Sequence, residues 1–577
     1  MISLQDLNTA PAAQFVQALG GIFEHSPWVA ERALQGRPFS SRLQLLQHMC
    51  RMVKEAGSDQ QLALIRAHPE LAGRAAMRKE LTAESTREQK GAGLDNCSPE
   101  EYAHLQSLNA AYNEKFGFPF VLAVRGHNRA SVLAAFAERL EHDIASEQAV
   151  ALEQIARIAG FRLFELVSAP AGEEIMAMHE ELARHSEQAD GLTCSYLSAQ
   201  HQAVAAQLKD WMLAAGLEVE IDAVANVVGR WRCRLPEAKT LITGSHYDTV
   251  VNAGKYDGRL GILLPIVAVL ELRQRGISLP YDLEIVGFAE EEGVRFKSTF
   301  LGSSALTGQF DTTLLASLDS AGISMESAMR DAGLDPAKIS SLARAPEKLL
   351  GFVEVHIEQG PVLLDASEAL GVVTSIAGSS RFLLNLTGLA GHSGTVPMTM
   401  RRDAAAAAAE IILAVEARCS GVPGLVGTVG RLEVPGGAVN VIPGRCELSI
   451  DIRAADDAVR LAAVSAVFAE IKAIASRRHV DIDSRQVLEV PCSPCSSALQ
   501  QQWSDSIRRQ AGTPAPLHLP SGAGHDAMKM ASICPIGMLF VRCGNGGISH
   551  NPLESLSVRD AELACAVFSD FLLHIGI

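Results

Sequence analysis

Hydrophobic positions in the first part of the chain recur at the spacing of α-helices. Residues 40–56 and 147–167 carry apolar side chains every three or four positions, and the main exception is the short apolar run 120–124. A capping box with proline at the first helical position, Ser98-Pro-Glu-Glu, predicts the start of another helix. Residues 1–167 are therefore predicted to form an all-helical domain.

The pattern changes after residues 168–172, whose Ser, Ala, Pro and Gly content is typical of a linker. Beyond this segment, buried-strand patterns alternate with helical ones: strands 240–244 and 282–288 enclose a long apolar helix, 260–272. This alternation predicts an open α/β fold, in which ligands bind at the carboxyl ends of the strands. The catalytic α/β domain is assigned to residues 173–373 and 491–577.

An insertion, residues 374–490, interrupts the α/β domain. Its pattern is strand, alanine-rich helix, two strands, helix and strand, which is the βαββαβ order of a small α+β sheet. The predicted elements are strands 382–386, 424–434, 445–453 and 480–490 and helices 402–417 and 456–477. We expect the helices to cover one face of this sheet, and the insertion to act as a lid and as the surface through which the protein forms a homodimer.

Four short segments of the α/β part carry imidazoles and carboxylates. They are GSHYDTVVNAGKYDG from residue 244, FAEEEG from 288, HIEQG from 356 and SHNPLE from 549. Three adjacent glutamates at a strand end repel one another unless cations neutralise them, so the set favours a two-metal hydrolase. Glu291 remains free to accept a proton, and Asp248 is expected to accept the second ring proton of an imidazole. The candidate metal ligands are His246, Asp257, Glu292, His356 and His550.

These segments, together with the strings GHSGTVPM, GGAVNVIPG and GAGHDA, make residues from about 173 to 577 resemble M20-type metallo-amidohydrolases. Within that family they are similar to the branch of allantoate and N-carbamoyl-amino-acid amidohydrolases. The resemblance implies hydrolysis by metal-activated water with Glu291 as general base, and two divalent ions, Mn²⁺ by family and Zn²⁺ or Co²⁺ as alternatives. It implies that Asp257 bridges the ions, with His246 and His356 on one and Glu292 and His550 on the other.

Further residues are candidates for substrate recognition. Arg453, in SIDIRA, suits a carboxylate because a guanidinium donates two parallel hydrogen bonds, although a surface arginine at a strand end is the alternative. His392 and Asn440 suit the ureido oxygen, with His392 as a catalytic group that stabilises an oxyanion. Gln359 and His525 are weaker candidates for substrate binding.

Three fragments of the helical part also suggest chemistry: IRAHPELAG, STREQKGAGLD and NAAYNEKFGFPFVLAVRG. In this order they resemble the decarboxylases of 2-oxo-4-hydroxy-4-carboxy-5-ureidoimidazoline (OHCU), over essentially residues 1–167. The resemblance implies His68 and Glu88 as catalytic residues. No metal or other cofactor is required, because an imine in the substrate accepts the electrons left by CO₂. The implied substrate-binding residues are Pro69, Ser85, Thr86, Arg87, Gln89, Phe120, Val121, Leu122, Ala123, Val124 and Arg125.

The two resemblances belong to one route, the breakdown of urate through small ureides. The helical domain is expected to form (S)-allantoin, and the α/β domain to hydrolyse allantoate to ureidoglycine, ammonia and CO₂. The alternative is an N-carbamoyl-L-amino-acid or ureidoglycolate amidohydrolase that carries a non-catalytic, dimerising helical module. Substrate competition separates the possible substrates of the hydrolase, and loss of decarboxylation in a folded His68→Ala variant would reject the non-catalytic module.

Composition restricts the partners and the compartment. With 577 residues and 48% hydrophobic content, the chain is long enough for three domains with cores. A net charge of −16 argues against nucleic acids and anionic membranes as partners. The 11 cysteines show no regular spacing, and neither a signal peptide nor a membrane-spanning segment is recognised, so we expect a cytoplasmic enzyme with reduced thiols.

Overall fold

The computed structural model describes residues 1–71, 99–124, 129–233 and 235–576. The helices in these ranges are α1 (Leu4–Thr9), α2 (Ala12–Leu19), α3 (Trp28–Ala33), α4 (Arg42–Lys54), α5 (Ser58–Ala67), α6 (Pro99–Phe116), α7 (Arg129–Arg139), α8 (Ile144–Leu166), α9 (Ala171–Leu182), α10 (Ala199–Ala214), α11 (Leu260–Gln274), α12 (Leu301–Leu306), α13 (Met325–Asp331), α14 (Val362–Asp365), α15 (Ala404–Cys419), α16 (Asp457–Arg478), α17 (Ser497–Ala511), α18 (Ala527–Met530) and α19 (Val558–His574). The strands are β1 (Ile2–Ser3), β2 (Val167–Ser168), β3 (Glu218–Ile221), β4 (Val227–Trp231), β5 (Thr240–His246), β6 (Asp282–Phe288), β7 (Leu349–Ile357), β8 (Leu370–Ile376), β9 (Gly378–Thr387), β10 (Gly391–His392), β11 (Leu425–Thr428), β12 (Leu432–Glu433), β13 (Val441–Ile442), β14 (Arg445–Ala454), β15 (Asp481–Val490), β16 (Ser493–Pro494), β17 (Leu517–Ser521) and β18 (Ile536–Val541). A helical part followed by an α/β part is confirmed.

Side-chain caps set the starts of the long helices in the helical part. The Ser41 side chain accepts a hydrogen bond from the first turn of α4, which therefore begins at Arg42. Asp143 caps α8 in the same way, so this helix begins before the predicted residue 147. α8 packs against α4 and α5. The apolar run 120–124 is buried beside these helices but forms no strand.

The helical part and the α/β part meet directly. The predicted linker, residues 168–172, is too long. Ser168 pairs with Ser3 in the two-stranded sheet formed by β1 and β2, and α9 already begins at Ala171. The reason is that Pro170, just before the first turn, leads straight into a helix whose inner face is buried. Gly172 packs so closely on α19 that an added Cβ would lie 2.2 Å from the carbonyl oxygen of Val558. One continuous hydrophobic core therefore joins the two parts.

The large sheet has nine strands, in the order β16-β8-β18-β7-β5-β6-β4-β3 with β17 beside β8. β5 runs parallel to β6 and β7 and lies between them, so the carboxyl ends of these strands meet at one edge. The buried helix α11 covers this centre, and β6 has the predicted bounds. β5 continues past residue 244 as far as His246. Among the described helices, none is both long and apolar enough to cross a lipid bilayer.

A second, smaller sheet has the order β11-β14-β9-β15, with β12 beside β14, and these pairs are antiparallel. α15 and α16 pack against β9 and β14. Buried Ile411, Ile450 and Val467 belong to a core that is separate from that of the large sheet. The prediction of one strand over 424–434 is wrong: pairing stops after Thr428 and resumes at Leu432–Glu433, because the intervening segment contains a glycine and leaves the strand.

Candidate active sites

The candidate metal ligands converge at the carboxyl edge of the large sheet. His246 ends β5, Glu292 follows β6, and His356 lies near the end of β7. Asp257 lies in the loop before α11, and His550 lies in the loop before α19. Side chains from separate strands meet here because the central strands are parallel and neighbouring, as expected for an open α/β sheet.

The two oxygens of Asp257 face different histidines. Oδ1 lies 3.6 Å from Nε2 of His246 and 3.2 Å from Nε2 of His356, whereas Oδ2 lies 3.3 Å from Nε2 of His550. The same His550 atom is 3.4 Å from Oε1 of Glu292. Asp257 Oδ1 is buried and has no hydrogen-bond partner. The Asp257 carboxylate therefore lies between two groups of candidate ligands, His246 with His356 and Glu292 with His550.

Two of the imidazoles are oriented by backbone carbonyl groups. Nδ1 of His356 lies 2.8 Å from the carbonyl oxygen of Ile357, and Nδ1 of His246 lies 3.1 Å from that of Asp248. A carbonyl can only accept, so each Nδ1 carries the proton and each Nε2 presents a lone pair to the cluster. Gly258, with φ of 68°, lies against the His246 ring, and an added Cβ would be 2.5 Å from its atoms. A glycine is therefore required here.

Asp248 holds the segment that carries the glutamates. Its Oδ1 accepts the backbone N–H of Glu291 and its Oδ2 accepts that of Glu292, both at 3.1 Å. Its Oδ1 is also 3.5 Å from Nδ1 of His246, which is longer than a hydrogen bond. The backbone carbonyl of Asp248 is thus the partner of the His246 imidazole, while its carboxylate supports the glutamate segment.

Glu554 has a similar role that the sequence analysis missed. Its Oε1 accepts the backbone N–H groups of Tyr256, at 2.7 Å, and Asp257, at 3.1 Å. The Ser549 hydroxyl lies 2.7 Å from Oε2 of Glu554 and 2.6 Å from Oδ2 of Asp257. Both residues lie within the segment SHNPLE. The glutamate that ends this segment is the feature of the sequence from which this supporting role could have been predicted. They fix the loop that carries the bridging carboxylate.

The charges in the cluster fit divalent cations. Burial raises the pKa of the Glu291 carboxyl well above its ordinary value, and that of Glu292 to about 7. A hydrogen bond to Asp257 raises the pKa of His550 to about 9, and burial raises that of Asp526 to about 8. Without a cation, these groups lower their mutual repulsion by keeping protons, which cations displace on binding. Imidazoles with carboxylates are a donor set that Mn²⁺, Zn²⁺ and Co²⁺ accept.

Two of the predicted substrate-binding residues lie beside the ligand cluster. The side-chain amide of Gln359 donates to Oδ2 of Asp257 at 2.8 Å. His525 is buried, with its ring centre 4.5 Å from that of His356, and its Nε2 lies 2.8 Å from the Ser521 hydroxyl. The structure therefore brings both residues to the site.

The other three lie in the insertion: Arg453 is in β14 of the smaller sheet, whereas His392 and Asn440 lie at the separate pair β10–β13. The Arg453 guanidinium pairs with Asp451 at 2.9 Å and donates to the carbonyl oxygen of Gly522, in the large-sheet part, at 2.8 Å. The Arg453 guanidinium therefore already has a carboxylate and a carbonyl oxygen as partners, and its contact with a substrate carboxylate stays a prediction. His392 and Asn440 are exposed near the β10–β13 pair, and neither belongs to the ligand cluster.

In the helical part, His68 directly follows α5 and is buried. Its Nδ1 lies 3.0 Å from the carbonyl oxygen of Leu64, which assigns the proton to Nδ1 and a lone pair to Nε2. Burial lowers the pKa of His68 to about 4, with the charges of Glu24 and Arg162 nearby. The ring is therefore neutral near pH 7, rather than close to its midpoint as an unperturbed histidine is.

The remaining predicted residues of this part divide into two groups. Pro69 is half-buried, and 120–124 are buried, with two of their backbone groups already used: Val121 accepts from Arg139 at 2.7 Å, and Ala123 donates to Gln154 at 3.0 Å. Other predicted residues lie outside the described ranges, namely Ser85, Thr86, Arg87, Glu88, Gln89 and Arg125.

A cluster of imidazoles and carboxylates at the carboxyl edge of a mainly parallel sheet is typical of metal-dependent hydrolases. Residues 242–574 match the model of peptidase family M20/M25/M40, and residues 8–164 match that of OHCU decarboxylase. The chain belongs to peptidase family M20, with an OHCU decarboxylase domain preceding the hydrolase. It is a bifunctional lyase and hydrolase, and both family predictions are confirmed.

Relatives extend over the hydrolase part. An N-carbamoyl-L-amino acid amidohydrolase of Geobacillus stearothermophilus is 38% identical over 404 residues, 70% of this chain and 97% of that protein. Allantoate deiminase of Arabidopsis thaliana is 36% identical over 69% of this chain and 82% of its own length. Among solved structures, AtUAH in complex with glyoxylate is 32% identical with a TM-score of 0.59, and covers 70% of this chain and 97% of that chain. A hydantoinase/carbamoylase family amidase from Burkholderia multivorans is 29% identical with a TM-score of 0.65, over the same shares of the two chains.

Proposed function

We propose that the hydrolase part converts allantoate to ureidoglycine, ammonia and CO₂, and that the helical part decarboxylates OHCU to (S)-allantoin. The allantoate deiminase and the N-carbamoyl amino acid hydrolase are almost equally similar to this chain, at 36% and 38% identity. The OHCU decarboxylase domain in the same chain favours allantoate over N-carbamoyl amino acids, because OHCU and allantoate are both ureides.

We assign the five candidate ligands to two divalent ions, with Asp257 between them, because its oxygens face separate histidines. When bound, the ions would supply Lewis acidity at the scissile bond. Glu291 takes a proton from the attacking water and returns it to the leaving nitrogen. Asp248 keeps the Glu291 backbone in place, and Gln359 orients the bridging carboxylate.

The smaller sheet is proposed to be a lid over this site and, through its edge strands, the surface of a homodimer. Arg453 would exchange its contacts with Asp451 and Gly522 for a substrate carboxylate when the lid closes. His392 and Asn440 would then reach the ureido oxygen, and His525 would complete the wall beside His356. The cysteines of the described ranges are free thiols, which supports a cytoplasmic location.

In the decarboxylase part, the neutral His68 ring cannot supply a proton of its own near pH 7. Its Nε2 lone pair can take the proton of the substrate hydroxyl as CO₂ leaves and return it to the neighbouring carbon. The electron pair from the broken carbon–carbon bond passes into the imine of the substrate, whose nitrogen takes a further proton from the solvent. His68 thus selects the face that is protonated, and with it the (S) configuration.

The decisive experiment measures ammonia release by protein that has been stripped of metal and reconstituted with Mn²⁺. Allantoate and N-carbamoyl amino acids are compared at equal concentration. Release from allantoate that depends on metal supports the proposal, and faster turnover of a carbamoyl amino acid contradicts it. Decarboxylation of OHCU by the same sample is followed separately, with a His68→Ala variant as control.

A further inference from the structure

Helix α6 connects the buried run 120–124 to the segment that follows His68. The side-chain amide of Asn109 donates to the carbonyl oxygen of Leu71 at 2.9 Å. One turn further along α6, the Tyr112 ring meets the phenylalanine ring that opens the run edge-on, with centroids 5.1 Å apart. Residues three apart lie on one face of a helix, so this face of α6 contacts both segments. The backbone of the run therefore lies beside the candidate decarboxylase site.

Side chains of α7 and α8 hold the backbone of this run, which pairs with no strand among the described residues. Nη1 of Arg139, at the end of α7, donates to the carbonyl oxygen of Val121 at 2.7 Å. The backbone N–H of Ala123 donates to Oε1 of Gln154, on α8, at 3.0 Å. Two residues that are two positions apart thus turn backbone groups to the same layer of helices. The residue between them, Leu122, then turns its N–H and C=O groups the other way.

Arg139 is itself fixed by a buried ion pair. Its Nε donates to Oε1 of Glu147 at 2.8 Å, and its Nη2 donates to the same oxygen. The guanidinium lies over the Phe120 ring, with Cζ 4.4 Å from the centroid, and the Tyr112 hydroxyl also donates to Glu147. The second oxygen of Glu147 is 2.7 Å from Nδ1 of His142. Because two of its nitrogens are held in this way, Arg139 directs the third, Nη1, at the carbonyl group that it binds in the run.

We propose that Arg139 and Gln154 are positioning residues for decarboxylation. They hold the run 120–124 from the side of α7 and α8, so that the Leu122 N–H and C=O groups face the substrate and pair with an amide-like edge of OHCU. Neither side chain touches the substrate. Replacing a buried ion pair with apolar groups is often neutral or stabilising, so stability alone does not account for the pair of Arg139 with Glu147.

This role rests on the proposed decarboxylation of OHCU and adds two residues to it. Both lie outside the segments IRAHPELAG, STREQKGAGLD and NAAYNEKFGFPFVLAVRG. They act on the substrate only through the backbone that they hold.

The test is the steady-state kinetics of (S)-allantoin formation from OHCU by the full chain, followed by circular dichroism of the product. Gln154→Met removes the acceptor of the Ala123 N–H and keeps the length of the side chain. It should raise KM about tenfold and leave kcat within about twofold, because misplaced backbone groups weaken binding of the substrate and of the transition state equally. Arg139→Lys keeps the charge beside Glu147 but cannot hold Glu147 and Val121 at once, so it should also raise KM.

The matched control is Gln44→Met. Gln44 is half-buried like Gln154, and its Oε1 also accepts a backbone N–H group, that of Ser40, at 2.7 Å. It serves the first turn of α4 instead of the run 120–124, so this substitution should leave KM for OHCU unchanged.

Unchanged KM in Gln154→Met or in Arg139→Lys would overturn the role of that residue. A fall in kcat at constant KM, which indicates only a loss of folded protein, would overturn it as well, and so would an equal rise of KM in Gln44→Met. These outcomes are compared with a natural protein that forms (S)-allantoin. If the natural protein forms none, the proposed decarboxylation fails, and the positioning role fails with it.

Discussion

Glu174 binds Arg42 across the junction between the two parts of the chain. Its carboxylate lies 3.2 Å from Nε of Arg42 and accepts the backbone N–H groups of Arg42, at 3.2 Å, and Leu43, at 3.0 Å. Both side chains are buried. A carboxylate from α9 thus satisfies the free amides at the start of α4, where the helix dipole also favours a negative charge. The helical part is anchored to the hydrolase part by this contact.

Glu174→Gln should lower the free energy of unfolding by about 3–5 kcal/mol, because it removes the buried carboxylate that the Arg42 guanidinium contacts. Chemical denaturation of the full chain measures this. The matched control is Glu173→Gln, since Glu173 is adjacent but exposed, and this change should be within about 0.5 kcal/mol of the natural protein. Equal effects of the two substitutions would contradict the proposed anchoring.

Asp248→Ala should lower kcat/KM for hydrolysis by about 10–100-fold and weaken metal binding. The substitution removes the acceptors of the Glu291 and Glu292 backbone N–H groups, which then no longer hold the glutamate segment in place. Metal content and turnover are measured on the same preparation. Asp311→Ala, which removes a carboxylate that caps an exposed turn, serves as control and should leave both unchanged. Full activity of the Asp248 variant would refute the supporting role.

Much of the hydrolase centre could be predicted because its signals are local. The strand 282–288 was predicted with the bounds of β6, since an apolar run ends at acidic residues there. The role of the Asp248 carboxylate could be predicted only in part, because a residue two positions from His246 suggests that local contact, whereas the Glu291 and Glu292 backbone N–H groups lie more than 40 residues away in sequence. Only the folded sheet brings β5 and β6 side by side.

Contacts between the two parts of the chain were also beyond prediction. The composition of residues 168–172 indicates a linker, but burial of Ala171 and Gly172 against the hydrolase part depends on the surface that they meet. Helical periodicity shows which face of α4 is apolar, and does not show that Glu174 caps its first turn.

Stability should depend on pH through His68. Burial lowers its pKa to about 4 in the folded protein, whereas the unfolded chain has the ordinary value of about 6.5. The unfolded state therefore takes up a proton first, and stability that is present above pH 6.5 is lost as the pH falls towards 4, by roughly 3 kcal/mol. The His68→Gln variant should lose correspondingly less stability between pH 6.5 and pH 4. His104→Gln, at an exposed site on α6, should behave as the natural protein, and identical pH profiles for all three proteins would exclude the effect.

Arg453→Lys should lower kcat/KM for allantoate by about 10–100-fold, mainly through KM, because an ammonium cannot replace two parallel hydrogen bonds to a carboxylate. Metal content should not change. The informative control is Arg381→Gln: Arg381 also pairs with Asp451, at 3.0 Å, from the neighbouring strand β9. If Arg453 acts only by neutralising Asp451, Arg453→Lys keeps the positive charge and should leave KM unchanged, whereas Arg381→Gln should raise it. If it binds the substrate carboxylate, Arg453→Lys alone should do so, and steady-state kinetics with allantoate separate the two cases.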